Sequence, residues 1–313
     1  MKYLTTLFAL ALLVACVTKA PEVYVLDEKD LVPEGIAYSA KKDAFYLTSV
    51  TKSKIVAVDR KSGKQSDFIG ELEYGYQPGV GIWVDDERNL VHALGGYYML
   101  PDSLSSLYTF DINTQKLLRR YNLSDKHFLN DMVVDATGNI YLTDTKDASV
   151  FLLNKGADSL ELFYKSPEID FPNGIAISDD NSKLFIASMP TGVKIIDIAS
   201  KKILNQMDTL DISTGIDGLE FYKGHLYGVQ NGVGANGFNF RKLILNKAKD
   251  KIVSAEVIDS GNPDLYVPLT FCFAKNKAVV IGNSNLGHLN QETMQFSQSD
   301  TIPKSKLLVY AID

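Results

Sequence analysis

One stretch of the sequence reads Met132-Val133-Val134, then Asp135-Ala136-Thr137-Gly138-Asn139, then Ile140-Tyr141-Leu142-Thr143. Two short apolar runs, rich in β-branched and aromatic residues, flank a polar turn that contains glycine and asparagine, which is typical of a β-hairpin. A further apolar run follows at Val150-Phe151-Leu152-Leu153. The stretch therefore predicts an antiparallel strand–turn–strand unit with a third strand behind it.

The same unit occurs six times along the chain. Its first strand is expected near positions 36, 82, 132, 175, 219 and 271, so successive units lie 46, 50, 43, 44 and 52 residues apart. These spacings are close to the period of β-propeller blades, and no segment shows the apolar period of an amphipathic helix. A single blade cannot bury both of its faces, so the blades must stack around an axis. We therefore expect an all-β fold, a six-bladed β-propeller with four-stranded blades.

The two ends of the chain indicate how this ring closes. The sixth unit supplies three clear strands, and a strand-like run, Glu22-Val23-Tyr24-Val25-Leu26, lies ahead of the first unit. We expect this N-terminal strand to complete the last blade, because that pairing would remove an open sheet edge. Residues 22–313 are thereby predicted to form a single propeller domain.

Four of the six units carry an oxygen-bearing side chain at the same place, directly before the first strand. These residues are Glu34, Asn130, Asn173 and Asp217. Equivalent positions of a closed ring lie around its central channel, so we expect the four side chains to converge. Carboxylate and amide oxygens suit a hard divalent cation, and calcium accepts them in loose geometry together with water and main-chain carbonyls. The pattern predicts a divalent-metal site, with Ca²⁺ the expected ion.

Turn chemistry is an alternative explanation for the same residues. Asn173-Gly174 and Asp217-Gly218 are common hairpin-turn pairs that need no ligand. However, the residues recur in register across the units, the tight turns are expected elsewhere in each unit, and Glu34 is a poor turn former. These observations favour the metal site.

The N-terminus predicts export. An apolar run from Leu4 to Ala15, too short to span a bilayer, follows Lys2 and ends at Cys16. Its last residues, Leu13-Val14-Ala15-Cys16, resemble the lipobox of bacterial lipoproteins, in which cleavage leaves a lipid-modified cysteine. We expect residues 1–15 to be a signal peptide and Cys16 to anchor the protein to the bacterial cell envelope, in the periplasm or at the cell surface. A plain secretory signal is the alternative.

Composition narrows the remaining function classes. The 313 residues are 45% hydrophobic and carry a formal net charge of −6, which is ordinary for a globular protein and argues against nucleic acid as a partner. Membrane contact is expected only through the lipid anchor. The second cysteine, Cys272, lies in the strand-like run Thr270-Phe271-Cys272-Phe273 and is expected to be a small buried hydrophobe. The oligomeric state has no signal in the sequence.

Taken together, these motifs resemble the senescence-marker-protein/gluconolactonase family, also called regucalcin-like, whose members are six-bladed propellers. In that family a glutamate before the first blade, an Asn-Gly before a middle blade and an Asp-Gly before the next bind a divalent metal. Glu34, Asn173 and Asp217 match those three positions. The resemblance also implies that Asn130, in the pair Asn130-Asp131, contacts the substrate or a water at the metal.

The chain departs from the family pattern beside Asn130. Sugar-lactone members have an arginine two residues before the Asn-Asp pair, whereas this chain has Phe128. The segments that lead into blades two and six, residues 77–80 and 267–270, carry no charge. An apolar or aromatic pocket wall therefore fits as well as a polyol-binding one, and Phe128 and His127 are predicted to contact the substrate.

Two functions follow from these residues. The first is a metal-dependent hydrolase of a lactone or related ester, in which Asp217 or Glu34 accepts a proton from water and Asn130 orients water or the developing oxyanion. His127 is an alternative base, although a loop histidine is usually solvated. The second is a non-catalytic propeller that serves as a ligand- or protein-binding scaffold. The oxygen cluster favours the hydrolase, and the missing arginine favours the scaffold.

Overall fold

Apolar runs separated by polar turns form strands along the whole described chain. The computed structural model describes residues 22–96, 98, 104–124, 126–205, 207–208, 212–232, 237–296 and 301–312. The helical elements of this part of the chain are three short 3-10 turns, Glu73–Gly75, Pro167–Ile169 and Leu286–His288. Within the same residues, no helix has the length and apolar character needed to cross a membrane. The predicted signal peptide, residues 1–15, and Cys16 lie outside the described residues.

Six four-stranded antiparallel sheets make up the fold, each a blade, with strands numbered here in chain order. The first strands, which contact one another around the central channel, are β2 (Pro33–Ser39), β6 (Gly79–Asp85), β10 (Leu129–Val134), β14 (Pro172–Ile177), β18 (Ile216–Tyr222) and β22 (Phe271–Ala274). The second strands are β3 (Ala44–Ser49), β7 (Leu90–Gly95), β11 (Ile140–Asp144), β15 (Lys183–Ser188), β19 (His225–Gln230) and β23 (Lys277–Asn283). The six-bladed propeller predicted from the repeats is confirmed.

The outermost strand of each blade is its least buried strand. The third strands are β4 (Ile55–Asp59), β8 (Ser105–Asp111), β12 (Ser149–Leu153), β16 (Gly192–Asp197), β20 (Asn239–Leu245) and β26 (Lys306–Ala311). The outermost strands are β5 (Gln65–Ile69), β9 (Leu117–Leu123), β13 (Glu161–Lys165), β17 (Lys202–Ile203), β21 (Ile252–Ser260) and β1 (Val23–Val25). A two-stranded hairpin, β24 (Leu289–Asn290) with β25 (Gln295–Phe296), stands apart from the blades.

The N-terminal strand closes the ring, as predicted. β1 pairs antiparallel with β26 of the sixth blade, with Val23 opposite Leu308 and Val25 opposite Lys306. Tyr24, between the two valines, points into the core and is buried. The last blade thus contains strands from both ends of the described chain, which leaves it no open edge at the third strand.

The hydrophobic core lies between neighbouring blades. Side chains alternate along each strand, so one face of a blade packs on the preceding blade and the other face on the next. In β3, Phe45 and Leu47 pack with Ile281 of the sixth blade, whereas Tyr46 packs with Ile82 of the second. The blades therefore stabilise one another around the ring, and the first strands are held rigidly at the channel.

A β-bulge interrupts five of the six first strands at the same place. Strand pairing shifts in register between Pro33 and Ile36 in β2, and the equivalent shift occurs in β6, β10, β14 and β18. The predicted strand starts near 36, 82, 132, 175 and 219 are therefore wrong by three residues, because pairing continues on the far side of each bulge. The predicted start at Phe271 is confirmed.

Candidate functional site

The four predicted oxygen ligands lie in these bulges. Glu34, Asn130, Asn173 and Asp217 are each the second residue of a first strand, not residues before it. None of the four lies in a hairpin turn, so turn chemistry does not account for their recurrence. A bulge re-aims its side chains relative to the strand. At the start of each first strand, it offers these side chains to one end of the channel.

Threonine hydroxyls hold neighbouring bulges together. Thr270 Oγ1 donates a hydrogen bond of 2.5 Å to the main-chain oxygen of Glu34, which links the sixth blade to the first. Thr143 Oγ1 donates in the same way to the main-chain oxygen of Asn173, at 2.7 Å. The backbone that carries the candidate ligands is thus fixed from the adjacent blade.

Glu34 and Asp217 are buried, and each has an oxygen without a partner. They are 9% and 6% exposed, and Glu34 Oε2 and Asp217 Oδ1 have no hydrogen-bond donor among the described residues. Burial raises the pKa of Glu34 well above its ordinary value, and the nearby carboxylates of Asp217 and Asp131 raise it further. Unpartnered buried carboxylate oxygens are costly unless a cation meets them. The residues present therefore fit a hard divalent cation.

Amide side chains complete the surroundings of Asp217. Asn231 Nδ2 donates to Asp217 Oδ2 and, at 2.8 Å, to the main-chain oxygen of Pro268. Burial raises the pKa of Asp217 to about 7, although hydrogen bonds from Asn231 and Asn173 act in the opposite direction. The structure thus brings Glu34, Asn173 and Asp217 together at one end of the channel.

Asn130 is held from its own blade. Its Nδ2 donates to Thr145 Oγ1 at 3.0 Å, and Thr145 Oγ1 donates in turn to the main-chain oxygen of Pro172 at 2.7 Å. The amide is 7% exposed and has a fixed orientation. It is therefore positioned to orient a bound group beside the bulge of the fourth blade.

Asp131 adds a half-buried carboxylate that the sequence did not single out as a ligand. Its Oδ1 accepts a hydrogen bond from the main-chain N–H of Met132 at 2.8 Å, and its Oδ2 accepts one from Ile175 at 3.3 Å. Burial raises its pKa to about 7. It lies close enough to raise the pKa values of Glu34, Asp217 and Glu220, so it stands between the candidate site and the part of the channel that Glu220 lines.

His127 is not a solvated loop side chain. Its Nδ1 lies 2.5 Å from Oδ2 of Asp144, which is fully buried and also accepts a hydrogen bond from the N–H of Phe128 at 2.8 Å. Together with Asp147 these residues form a His/Asp group whose ligand atoms lie within 4.8 Å of one another. Asp147 is already paired with Lys165, however. Because its oxygens have partners, this group fits a cation less well than Glu34 and Asp217 do.

An aromatic rim borders the site. Phe128 and Phe171 stand two residues before Asn130 and Asn173 in adjacent blades, and the Tyr98 ring lies 5.7 Å and 5.6 Å from their centroids. Phe128 is buried, whereas Tyr98 and Phe171 are 37% and 39% exposed. The exposed face of this rim therefore belongs to Tyr98 and Phe171, and Phe128 supports them from below.

A family comparison agrees with this geometry. Residues 32–220, more than half of the chain, match the family model described as the SMP-30/gluconolactonase/LRE-like region. The chain belongs to this family. No curated protein matches it in sequence.

Solved structures show how widely this propeller is used. A gluconolactonase from Xanthomonas campestris aligns with a TM-score of 0.60 at 13% identity, over 89% of this chain and 85% of that one. A luciferin-regenerating enzyme aligns at 0.62 and 13%, over 92% and 95%. A virginiamycin B lyase from Staphylococcus aureus aligns at 0.60 and 14%, over 83% and 80%. At these identities the likeness shows the fold alone, since the named activities differ.

In this member of the SMP-30/gluconolactonase family, the sequence motifs do not predict the supporting roles of Asn231 and Thr145. Each directly follows the last residue of a second strand, Gln230 in β19 and Asp144 in β11. That position faces the same end of the channel as the bulges. Aligning the six repeats at the end of the second strand would have been the signal that reveals both residues.

Proposed function

We propose that this protein is a divalent-metal-dependent hydrolase of a lactone or related ester, with calcium as the expected ion. The observation that carries the proposal is a pair of buried, unpartnered oxygens, Glu34 Oε2 and Asp217 Oδ1, on two carboxyl groups close enough for Asp217 to raise the pKa of Glu34, in a propeller of this family. Glu34, Asn173 and Asp217 would hold the ion, and Asn130 stands next to them. The named activities of the gluconolactonase and luciferin-regenerating enzyme neighbours are compatible with such chemistry.

Different residues would bind the ion, accept the proton and orient the reacting groups during hydrolysis. A bound divalent cation supplies Lewis-acid polarisation of a carbonyl and lowers the pKa of water. Asp217 is the proton acceptor we assign, because it is a carboxylate that would lie beside both the ion and a water bound to it. The Asn130 amide, fixed by Thr145, orients the water or the developing oxyanion. His127, held by Asp144, is the second candidate base.

The rim indicates the substrate class. A polyol needs charged or polar partners, but Tyr98 and Phe171, supported by the buried Phe128, present ring surfaces beside Asn130 and Asn173. Lys146 lies with its Nζ 5.5 Å from the Tyr98 centroid. We therefore propose a lactone or ester that carries an apolar or aromatic group, which would stack on Tyr98 and Phe171.

A lactone panel tests the proposal. With calcium added, the purified full chain should hydrolyse aryl- or alkyl-substituted lactones at least about tenfold more efficiently, in kcat/KM, than aldonolactones. Phe171→Ala should lower kcat/KM for the aryl lactone by about tenfold and leave aldonolactones nearly unchanged. Leu162→Ala, an exposed apolar residue on β13, is the matched control and should change neither. Preference for aldonolactones would overturn the substrate class, and no turnover with calcium bound would overturn the hydrolase.

The second candidate is a non-catalytic binding propeller. It is favoured by Phe128, which stands where sugar-lactone members have an arginine that grips substrate oxygens. In that case calcium would raise the melting temperature without supporting turnover of any lactone in the panel. Turnover that requires both calcium and Asp217 would exclude this alternative.

We further propose that the protein is exported and anchored to the cell envelope through a lipid on Cys16. Support comes from the Leu13-Val14-Ala15-Cys16 motif after an apolar run. In bacteria fed a clickable fatty acid, the full chain should take up label and fractionate with membranes. Cys16→Ser should lose both properties, whereas Cys272→Ser, at the buried second cysteine, should keep them. Labelling that survives Cys16→Ser would contradict the anchor.

A further inference from the structure

The opposite end of the central channel holds an open cavity. Two adjoining cavities of about 240 and 370 Å³ share four lining residues, Trp83, Glu220, Phe221 and Tyr222. They lie toward the ends of the first strands, whereas the candidate metal site lies at their beginnings. Glu220 is three residues beyond Asp217 in β18, which places it ~10 Å farther along the strand. We call this space the lower cavity.

A constriction separates the lower cavity from the candidate metal site. The space between them, bordered by Asp131, Met132 and Glu220, measures about 20 Å³. That volume is enough for roughly one water molecule and too small for an organic ligand. A molecule in the lower cavity would therefore enter from the face opposite the aromatic rim.

The walls of the lower cavity are aromatic on several sides. Tyr38, Trp83 and Phe273 come from blades one, two and six, and Phe221 and Tyr222 come from blade five. Tyr222 stacks on Phe273 with 4.1 Å between the ring centroids and 16° between the planes, which fixes both rings. Trp83 lines both cavities, and aromatic ring faces, those of tryptophan above all, attract cations.

Glu220 supplies a charge with no counterpart. Its carboxylate has no hydrogen bond or ion pair with another described residue, and Asp131, the acidic group beside it, repels it. Burial raises its pKa well above the ordinary value, and Asp131 adds to the effect. Glu220 is only partly buried and is open to the cavity, so a cation that enters can meet its carboxylate directly, whereas an anion would be repelled and a neutral ligand would leave it unpaired.

The chain's own lysines already use the outer ring faces. Lys223 Nζ lies 5.3 Å from the centroid of Tyr222, and Lys249 Nζ lies 5.3 Å from that of Phe221. Lys249 is also paired with Asp179, a residue that lines the lower cavity, and this ion pair fixes its position. Lys223 is the nearest competitor for a cation that enters the lower cavity.

We infer that the lower cavity binds a small organic cation, an alkyl- or arylammonium about the size of choline, with Glu220 as its counter-ion and Trp83, Tyr222 and Phe273 as its walls. The binding site is independent of the proposed lactone chemistry, because it lies beyond the constriction at the other end of the channel.

Trp83 provides the readout, because it is the single tryptophan of the chain. Choline should shift Trp83 fluorescence saturably in the full chain. The neutral isostere 3,3-dimethylbutan-1-ol should bind at least about tenfold more weakly, because it has the same shape without the charge. Glu220→Gln should reduce choline affinity to the level of the alcohol, and Glu256→Gln, an exposed glutamate on β21, should leave it unchanged.

Two results would overturn the inference: equal affinities for choline and the alcohol in the parent, or choline binding by Glu220→Gln as tight as in the parent. Lys223→Ala gives a second test that leaves Glu220 unchanged. It should raise choline affinity, or at least preserve the preference over the alcohol, because it removes the competing ammonium. If Glu220→Gln fails to fold, loss of the choline preference in Lys223→Ala would refute the site.

Discussion

Replacing Asp217 with asparagine should abolish calcium-dependent lactone hydrolysis, lowering kcat/KM by on the order of a thousandfold or more. Asparagine keeps the shape of the side chain and an oxygen that can accept from Asn231, but it has neither charge nor proton affinity. Both the ion and the proton acceptor are therefore lost together. The measurement is kcat/KM on the best lactone at saturating calcium. Asp158→Asn, at an exposed aspartate, is the isosteric control and should retain full activity.

In the absence of calcium, the same substitution that abolishes activity should leave the folded protein as stable as the parent or more stable. The pKa values of Asp217 and Asp131 are raised to about 7 and that of Glu34 is raised as well, so the folded state holds these protons more tightly than the unfolded state. Stability from this group is present below pH ~4 and is lost as the pH rises through about 7. At pH ~8 without calcium, Asp217→Asn should therefore melt at or above the parent's temperature.

Calcium should reverse that order. A ligand at 100 times its Kd stabilises the folded state by about 2.7 kcal/mol, and only the parent keeps both carboxylates that we propose as ligands. The crossing of the two melting temperatures separates a metal ligand from a merely structural carboxylate. If Asp217→Asn melts below the parent by the same margin with and without calcium, Asp217 has a structural role through its hydrogen bond with Asn231 and is not a metal ligand. If it retains turnover, the assignment of Asp217 is wrong.

The fold could be predicted from the sequence because the burial of each blade against its neighbours requires apolar strands at regular intervals along the chain. Each blade must repeat the same apolar strands to cover its neighbours, so the repeats near Ile36, Met132 and Ile175 directly reflect packing around the ring. The convergence of Glu34 and Asp217 followed from the same register. The bulges did not, because residues such as Glu34-Gly35 break the apolar alternation and resemble a turn in the sequence.

Other parts of the site depend on contacts that leave no local pattern. Asn231 reaches Asp217 from the next strand, and Asp144 reaches His127 across 17 residues. The lower cavity joins Trp83 of blade two with Glu220 of blade five. Trp83 and Glu220 belong to different repeats, so no signal within either repeat connects them, and only the closed ring brings them within reach. Asn231 and Asp144 lie in the same blades as their partners, but at the ends of second strands, where a single repeat taken alone shows no pattern.

Gly174→Ala should destabilise the protein by about 3 kcal/mol or more, because it forces two blades apart where their backbones meet. A Cβ at Gly174 would lie 2.6 Å from the main-chain nitrogen of Leu219 and closer still to the main-chain oxygen of Asp217. Neither is a flexible side-chain end that could move aside. Urea unfolding should show a lower midpoint for Gly174→Ala. Gly70→Ala is the matched control, since its nearest neighbour is the far end of the Glu73 side chain at 3.3 Å.

The third blade shows that this clash arises only where the bulge lies against the backbone of the next blade. Asp131 occupies the position equivalent to Gly174, and there the next blade leaves room for a side chain that accepts a hydrogen bond from Ile175. A Cβ is thus tolerated where the neighbouring bulge stands back. At Gly174 the alanine must displace the backbone of Asp217, so calcium-dependent turnover should fall even at temperatures where the variant remains folded. A Gly174→Ala protein that unfolds and turns over like the parent would mean that the fourth and fifth blades can separate freely, and that the position of Asp217 does not depend on their contact.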